Sequence, residues 1–179
     1  ADAISFATEL GNLATARETK DAIHDADIIV MSVWFNTQHE LFEQYSTELN
    51  GKIIIDPSNP IAPDEHGGFK KIIGEKESAG QLNAVLLPAG ASLVKVFGTL
   101  GAASLDNAAF QSPEKSVLFY ATDQAHTESV VEQLIKDSGF DALKVGGLDQ
   151  AIRIEVFGDL HEFGALGKVV SLVLAKSKL

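Results

Sequence analysis

No cysteine occurs among the 179 residues. Its absence excludes disulfides, thiolate zinc sites, iron–sulfur clusters and cysteine nucleophiles together, and it is compatible with a reducing, cytoplasmic setting. Cationic side chains are scarce: 14 Lys plus Arg against 25 Asp plus Glu leave a formal net charge of −11. Such a field repels phosphate backbones and anionic headgroups, so nucleic acid is not expected as a partner. Long apolar runs are missing too. The longest, Ile28 to Phe35, is interrupted by Ser32 and falls far short of the ~20 residues of a spanning helix, so no membrane partner is expected. No basic region precedes an apolar stretch at the start, so no signal peptide is read. Neither G-x-S-x-G nor any other nucleophile elbow is present, which leaves hydrolase readings without support. What is present, 45% apolar and 22% charged residues with a mean hydropathy of +0.09, describes a globular chain of one domain or one domain with a small appendage.

The pattern alternates strands with helices. Asp27 to Val33 is a β-branched run that reads as a strand buried on both faces, the kind found in parallel sheets. Behind it, Thr37 to Asn50 carries Leu41, Phe42, Tyr45 and Leu49 at helical intervals, with Thr37 and Glu40 at the capping-box spacing. Lys52 to Asp56 is a second buried strand, so the three elements form a βαβ unit. Upstream, Asp2 to Leu10 reads as helix, Leu13 to Ala16 as a short strand, and Glu18 to Ala26 as a helix turning Ala22, Ile23 and Ala26 inward. Downstream, Pro57 to Gly74 reads as an extended loop, Ser78 to Leu87 as helix, and Ser92 to Phe97 and Ser116 to Ala121 as strands. His126 to Ser138 reads as a helix closed by Gly139, and Ala142 to Val145 as a last strand. From Asp149 onward Phe157, Leu160, Phe163, Leu166, Val170 and Val173 recur three or four apart, an apolar stripe for one or two helices in which Gly158, Gly164 and Gly167 predict a break or a close contact. The expected class is α/β, a Rossmann-type, mainly parallel sheet with a small C-terminal helical part. The expected units are a dinucleotide-binding domain over 1–147 and a helical segment over 148–179.

In such folds ligands lie beyond the carboxyl ends of the strands. Three turns qualify: Trp34-Phe35-Asn36 after Val33, Asp56-Pro-Ser-Asn-Pro60 after Ile55, and Gly98-Thr-Leu-Gly101 after Phe97. Each pairs a chain reversal with aromatic, amide, proline or glycine residues, a shelf for a flat ring and a ribose. Singly each is a weak signal, and a packing role is the favoured reading for Trp34 and for Gly98-Thr-Leu-Gly101.

Together, Val33-Trp34 at a strand end, Gly51-Lys-Ile-Ile-Ile-Asp-Pro-Ser-Asn-Pro60, Leu93-Val-Lys-Val-Phe-Gly-Thr-Leu-Gly-Ala102, and Gly146-Gly-Leu148 leading to Arg153 and Glu155 resemble the NADP oxidoreductases that include the coenzyme F420 (deazaflavin) dependent NADP reductases. The resemblance runs from about Leu13 to Leu172. It implies NADPH across the sheet edge, with Val33, Trp34, Phe35, Asn36, Asn59 and Pro60 at the cofactor. It further implies that Phe97, Gly98, Thr99, Leu100 and Leu148 line the pocket of the second substrate, a small-molecule acceptor of F420, flavin or other electrophilic type. Members usually carry Asn or His where Gly98 stands, so a polar side chain is missing there. The resemblance also places Ala1 in the helix after the family's second strand. The first glycine-rich β–α–β unit, roughly 35 residues, with the amides that hold the pyrophosphate, is therefore expected to be lacking, and the exposed sheet edge to be covered by something else.

Hydride transfer between two heterocycles needs stacking and exclusion of water more than an acid or base, so no catalytic residue is expected. The histidines His24, His39, His66, His126 and His161 lie among charged neighbours and read as solvated. Asp159-Leu-His-Glu162 has no second histidine four residues on, Ala165 standing there, so no metal is expected. Arg153 reads as an ion-pair partner of Glu155 or Asp149 more readily than as a substrate clamp, with both roles open. The expected function is an oxidoreductase moving hydride between NADPH and its acceptor, as a homodimer joined through the C-terminal stripe. The alternative is a non-catalytic remnant of the fold serving as an interaction or dimerisation module.

Overall fold

The computed structural model describes residues 2–179. Its main sheet has the strand order β1-β2-β5-β6-β7, comprising β1 (Ile28–Val30), β2 (Ile53–Asp56), β5 (Ser92–Lys95), β6 (Val117–Ala121) and β7 (Asp141–Gly146). Three of the four pairings are parallel and only β5 with β6 is antiparallel, so the Rossmann-type, mainly parallel sheet is borne out. A short antiparallel ribbon, β3 (Ile61–Pro63) with β4 (Phe69–Lys71), stands apart from it. The helices are α1 (Ala3–Leu10), α2 (Thr19–Asp25), α3 (Phe35–Gln44), α4 (Ser46–Leu49), α5 (Ala79–Ala84), α6 (Ala102–Ala108), α7 (Glu128–Asp137) and α8 (Leu172–Lys176).

The sheet is buried on both faces, and strand alternation sorts its side chains into separate cores. On one face Ile55, Val94, Leu118 and Tyr120 meet Val131 and Ile135, the i and i+4 positions of α7. On the other, Ile54 and Leu93 pack with Ile23, Met31, Phe42, Leu49 and Leu148. Along β6 the alternation divides the chain's interior: Val117, Phe119 and Ala121 face Ala151, Ile154, Leu160, Val170 and Ala175. Each such fully buried aliphatic or aromatic side chain contributes about 1.5–3 kcal/mol.

Several elements differ from their expected form. The first strand covers only Ile28–Val30, and Val30 is 53% exposed, because β1 pairs with β2 alone and its other edge is unpaired among the described residues. Helix α3 begins at Phe35 with Trp34 as its cap residue and without a side-chain cap. Thr37 thus sits inside the first turn and the capping box with Glu40 is not formed. The helix also breaks at Tyr45 before α4. The strand expected over Leu13 to Ala16 is not formed: residues 11–13 make a 3-10 turn and 14–16 have no regular structure. Of the inward set in α2, only Ile23 is buried. Helix α6, which had no apolar periodicity to mark it, follows Gly101.

The C-terminal part has helix at Leu148–Arg153, a 3-10 segment, and at α8, with turns between them. The break falls where the glycines predicted it: a side chain on Gly164 would run into the carbonyl of Gly158. The stripe is divided as a result. Leu160 and Val170 lie inside, while Phe157, Phe163 and Val173 are exposed. Among the described residues no helix is long and apolar enough to cross a membrane.

Candidate functional site

Because β1, β2 and β5 run parallel, the turns that leave them emerge at one edge of the sheet. Beyond β1, Met31 donates to the Ile55 carbonyl (2.9 Å), and the chain then turns into α3. No side chain caps the start of α3 and no acidic residue lies in its first turn, so the positive end of the helix dipole opens on this edge. A cavity of about 500 Å³ lies there, lined by Val33, Trp34 and Thr37 on one side and Pro57, Ser58 and Asn59 on the other. A second cavity, of about 400 Å³, is lined by Leu100 and Gly101 from the third turn, Phe69 from β4, and Val156, Phe157, His161 and Phe163 from the C-terminal segment. The two share Asn59 and Ile61 as a common wall.

Beneath the second turn lies a buried polar network. Asp56 is fully buried and Lys95 is 2% exposed; the Lys95 ammonium lies 3.1 Å from Asp56 Oδ2 and donates to the Ser58 carbonyl. The other Asp56 donors are the Ser58 amide (2.8 Å), Gln38 Nε2 (3.0 Å) and Asn83 Nδ2 (2.8 Å). Gln38 also donates to the Met31 carbonyl, and Asn83 Oδ1 accepts from His39 Nε2 at 2.9 Å. Burial alone would push the Asp56 carboxyl up. The Lys95 charge and the three hydrogen bonds outweigh it and hold the carboxyl below the usual aspartate range. The network thereby ties α3, α5, β2 and β5 to the geometry of the Asp56–Pro60 turn.

The C-terminal segment is fastened across the same edge. Glu155, buried, accepts from the Ser78 hydroxyl (2.8 Å) and the amides of Ala79 (2.9 Å) and Gly80 (2.8 Å). Glu162 accepts from the Gly101 amide at the start of α6. Asn59 bridges the two regions, accepting from the Val156 amide (2.7 Å) and donating to the Gly98 carbonyl (2.9 Å). His161 is 2% exposed. Its Nδ1 accepts from the Phe163 amide (3.0 Å), so Nε2 carries the proton and donates to the Gly98 carbonyl (2.9 Å). Burial pushes the imidazole below its ordinary value, against the opposing pull of the Gly98 carbonyl and Glu162.

Of the cofactor residues expected from the sequence, Val33, Trp34 and Asn59 line the first cavity. Phe35 is buried against His39 with ring centroids 4.4 Å apart, Asn36 points to solvent, and Pro60 is buried beside the ribbon. Of the expected acceptor residues, Leu100 lines the second cavity. Phe97, held at φ 68°, packs on the sheet core, and Thr99 is buried with a hydroxyl that has no partner. Gly98 has no room for a side chain: a Cβ would stand 2.5 Å from the Pro57 carbonyl oxygen. Leu148 belongs to the core around Phe42 and lies outside both cavity linings.

Two further expectations are corrected. His161 is buried and doubly hydrogen-bonded rather than solvated. Arg153 pairs with Asp159 (2.9 Å), neither Glu155 nor Asp149. The motifs did not mark Phe69, in a stretch that read as loop, or Val156, nor Phe157 and Phe163, whose apolar spacing read as a helix stripe; nor did they mark the Asp56–Lys95 pair, since one Lys in a strand carries no sign of burial.

The fold and its carboxyl-end cleft define an α/β protein of the Rossmann dinucleotide-binding type. Residues 1–60 match the family model described as NADP oxidoreductase, coenzyme F420-dependent, so the resemblance carried by the motifs is borne out over that part of the chain. A hypothetical protein from Sinorhizobium meliloti is similar in structure, with a TM-score of 0.70 and 25% identity, over 85% of this chain and 69% of that one. A protein from Arthrobacter sp. FB24, described as a candidate F420-dependent NADP-reductase, shares the fold with a TM-score of 0.62 and 22% identity, over 74% of this chain and 60% of that one. This chain therefore spans less than two thirds of the Arthrobacter protein's length. No curated protein matches the sequence.

Proposed function

We propose that the chain is the nicotinamide-and-acceptor part of an NADPH-dependent oxidoreductase, with the nicotinamide half of NADPH in the cavity beside Trp34 and a small-molecule acceptor in the adjoining one. The observation that carries this reading is the convergence of three strand-end turns on two cavities with a shared wall. The residues present fit the ribose and nicotinamide. Trp34, 60% exposed, offers an aromatic face, Thr37 in the uncapped first turn of α3 lines the same cavity, and the buried Ser58 hydroxyl in its lining has no partner. When bound, the dihydronicotinamide supplies the hydride. The protein's own contribution is orientation: Asn59 and Ile61 set the partition between the rings, and the Asp56–Lys95 network holds that partition still. Whether F420, a flavin or another electrophile is the acceptor belongs to the same proposal, as do a cytoplasmic setting, which the lack of cysteine supports, and a homodimer, for which exposed Val173 is the part of the stripe left outside the cavities.

The test is a titration with NADPH and with reduced nicotinamide mononucleotide, which lacks the adenosine half. Trp34 is the only tryptophan, and its emission overlaps dihydronicotinamide absorption, so binding beside it quenches it by energy transfer. Saturable quenching by both compounds is expected; no saturable response to either overturns the reading. One observation favours the alternative, an interaction module: among the described residues β1 leaves an unpaired edge, and Ile4, Phe6, Leu10 and Leu13 are exposed.

A further inference from the structure

We propose that the cavity between Phe69, Phe157 and Phe163 binds an uncharged, planar ring compound and discriminates against ligands that carry an anionic tail. Its role as the hydride acceptor's site rests on the reading above; its ligand chemistry does not. Three phenylalanines from two distant parts of the chain surround this one cavity, and each is more than half exposed: Phe69 52%, Phe157 51% and Phe163 64%. Leaving three large rings in water is costly, and Phe157 is in addition held at φ 68°, a conformation that side chains other than glycine rarely adopt. A flat ring seated among them removes that apolar surface from water and gains offset or edge contacts.

The polar side chains of the lining have little left to offer. His161 uses both ring nitrogens on backbone groups, and Asn59 uses its oxygen on the Val156 amide and its nitrogen on the Gly98 carbonyl. Recognition must therefore come from shape and stacking. Nor does the lining contain Lys or Arg. The two cations of the neighbouring cavity that shares Val156 and Phe157 are engaged elsewhere: Lys71 donates to the carbonyls of Glu75 and Glu77, and Arg153 is paired with Asp159. The carboxylate of Glu162 stands at Gly101, and the whole chain carries −11. A phosphate or carboxylate tail would enter a negative field with no counter-charge in the lining. A volume of about 400 Å³ suits two or three fused rings.

Riboflavin and FMN share one ring system and differ by a phosphate, which makes them the direct test. With the full chain and no nicotinamide present, flavin fluorescence is followed through titration at low and high salt. Riboflavin is expected to saturate, with FMN weaker by roughly tenfold at low salt and the gap narrowing as salt screens the field. Phe157→Ala and Phe163→Ala should each weaken riboflavin about fivefold, the loss of one aromatic contact, while Phe163→Trp retains binding. If an alanine variant does not fold by circular dichroism, Phe157→Leu and Phe163→Leu, which keep bulk and remove the ring, are read in its place with the same expectation. FMN binding as tightly as riboflavin, no saturation by riboflavin, or unchanged affinity in folded ring-less variants overturns the proposal. So does a dimeric mass by light scattering that Phe163→Ala returns to monomer, since a second copy would then cover the rings. Riboflavin binding without nicotinamide quenching of Trp34 removes the redox reading and leaves this site; the reverse result removes this site alone.

Discussion

Replacing Asp56 by Asn should reveal what holds the second turn in place. The side chain keeps its shape but loses its charge, and Lys95, 2% exposed and 3.1 Å from the former carboxylate oxygen, is left with the Ser58 carbonyl as its only acceptor. At an effective dielectric near 20 the lost attraction at that separation is about 5 kcal/mol, and removing one partner of a buried pair costs about 3–5 kcal/mol once relaxation is included. The amide group of the new Asn would also face Asn83 Nδ2, a donor against a donor. Urea unfolding of Asp56→Asn is expected to show a loss of about 3 kcal/mol or more, a large part of the ~5–15 kcal/mol of a typical domain. Lys95→Met should cost less, because Asp56 retains three hydrogen bonds. The double variant Asp56→Asn with Lys95→Met should be more stable than the sum of the two losses, since no unpaired charge remains. The folded pKa of Asp56 is depressed, so its contribution is present above the unfolded aspartate value and fades as pH falls through the folded one. The acid side of the stability profile should therefore flatten in Asp56→Asn. A loss under about 1 kcal/mol with an unchanged acid limb would refute the argument, because it would mean that water or movement relieves the buried charge.

Gly98→Ala should lower the melting temperature and weaken quenching of Trp34 by nicotinamide together, because the added carbon stands 2.5 Å from the Pro57 carbonyl oxygen and the backbone of the second or third turn must move, at about 1–3 kcal/mol; an unchanged melting temperature in differential scanning fluorimetry would contradict the close approach. His161 is held neutral by burial, so its folded pKa lies below the unfolded value. The unfolded state then binds the extra proton, and stability is full above the ordinary histidine range and falls as pH drops from that range toward the folded pKa. His161→Gln, compared with the parent by urea midpoints from neutral pH to pH ~5, should lose less stability over that interval, and parallel curves would show that His161 contributes no pH dependence.

Much of the architecture was legible in the chain because it depends on local pattern. The β-branched runs at Ile53–Ile55 and Val117–Tyr120, the 3.6-residue spacing of Val131 and Ile135, and Gly139 at φ 88° closing α7 each carry their own signal. The site was half legible. Val33, Trp34, Asn59 and Leu100 could be placed at a cleft because strand ends in a parallel sheet share one edge. Phe35 and Pro60 followed the same motif but turned inward, since the helix starting at Phe35 rotates that ring onto the core. Phe157 and Phe163 kept helical spacing along a segment that is not helical, where close glycine backbones replace the turns that would have aligned them.

By itself the sequence determined the alternation of strands and helices, the parallel character of the sheet, and the cleft at residues 33–34, 59 and 100, because hydrophobic period and strand direction are properties of short stretches. Tertiary structure alone decided that Lys95 is buried on Asp56, that His161 is spent on the backbone, that Gly98 abuts Pro57, and that Phe69 lines one cavity with Phe157 and Phe163. Each of these joins residues dozens of positions apart, and no local periodicity encodes which distant surfaces pack together.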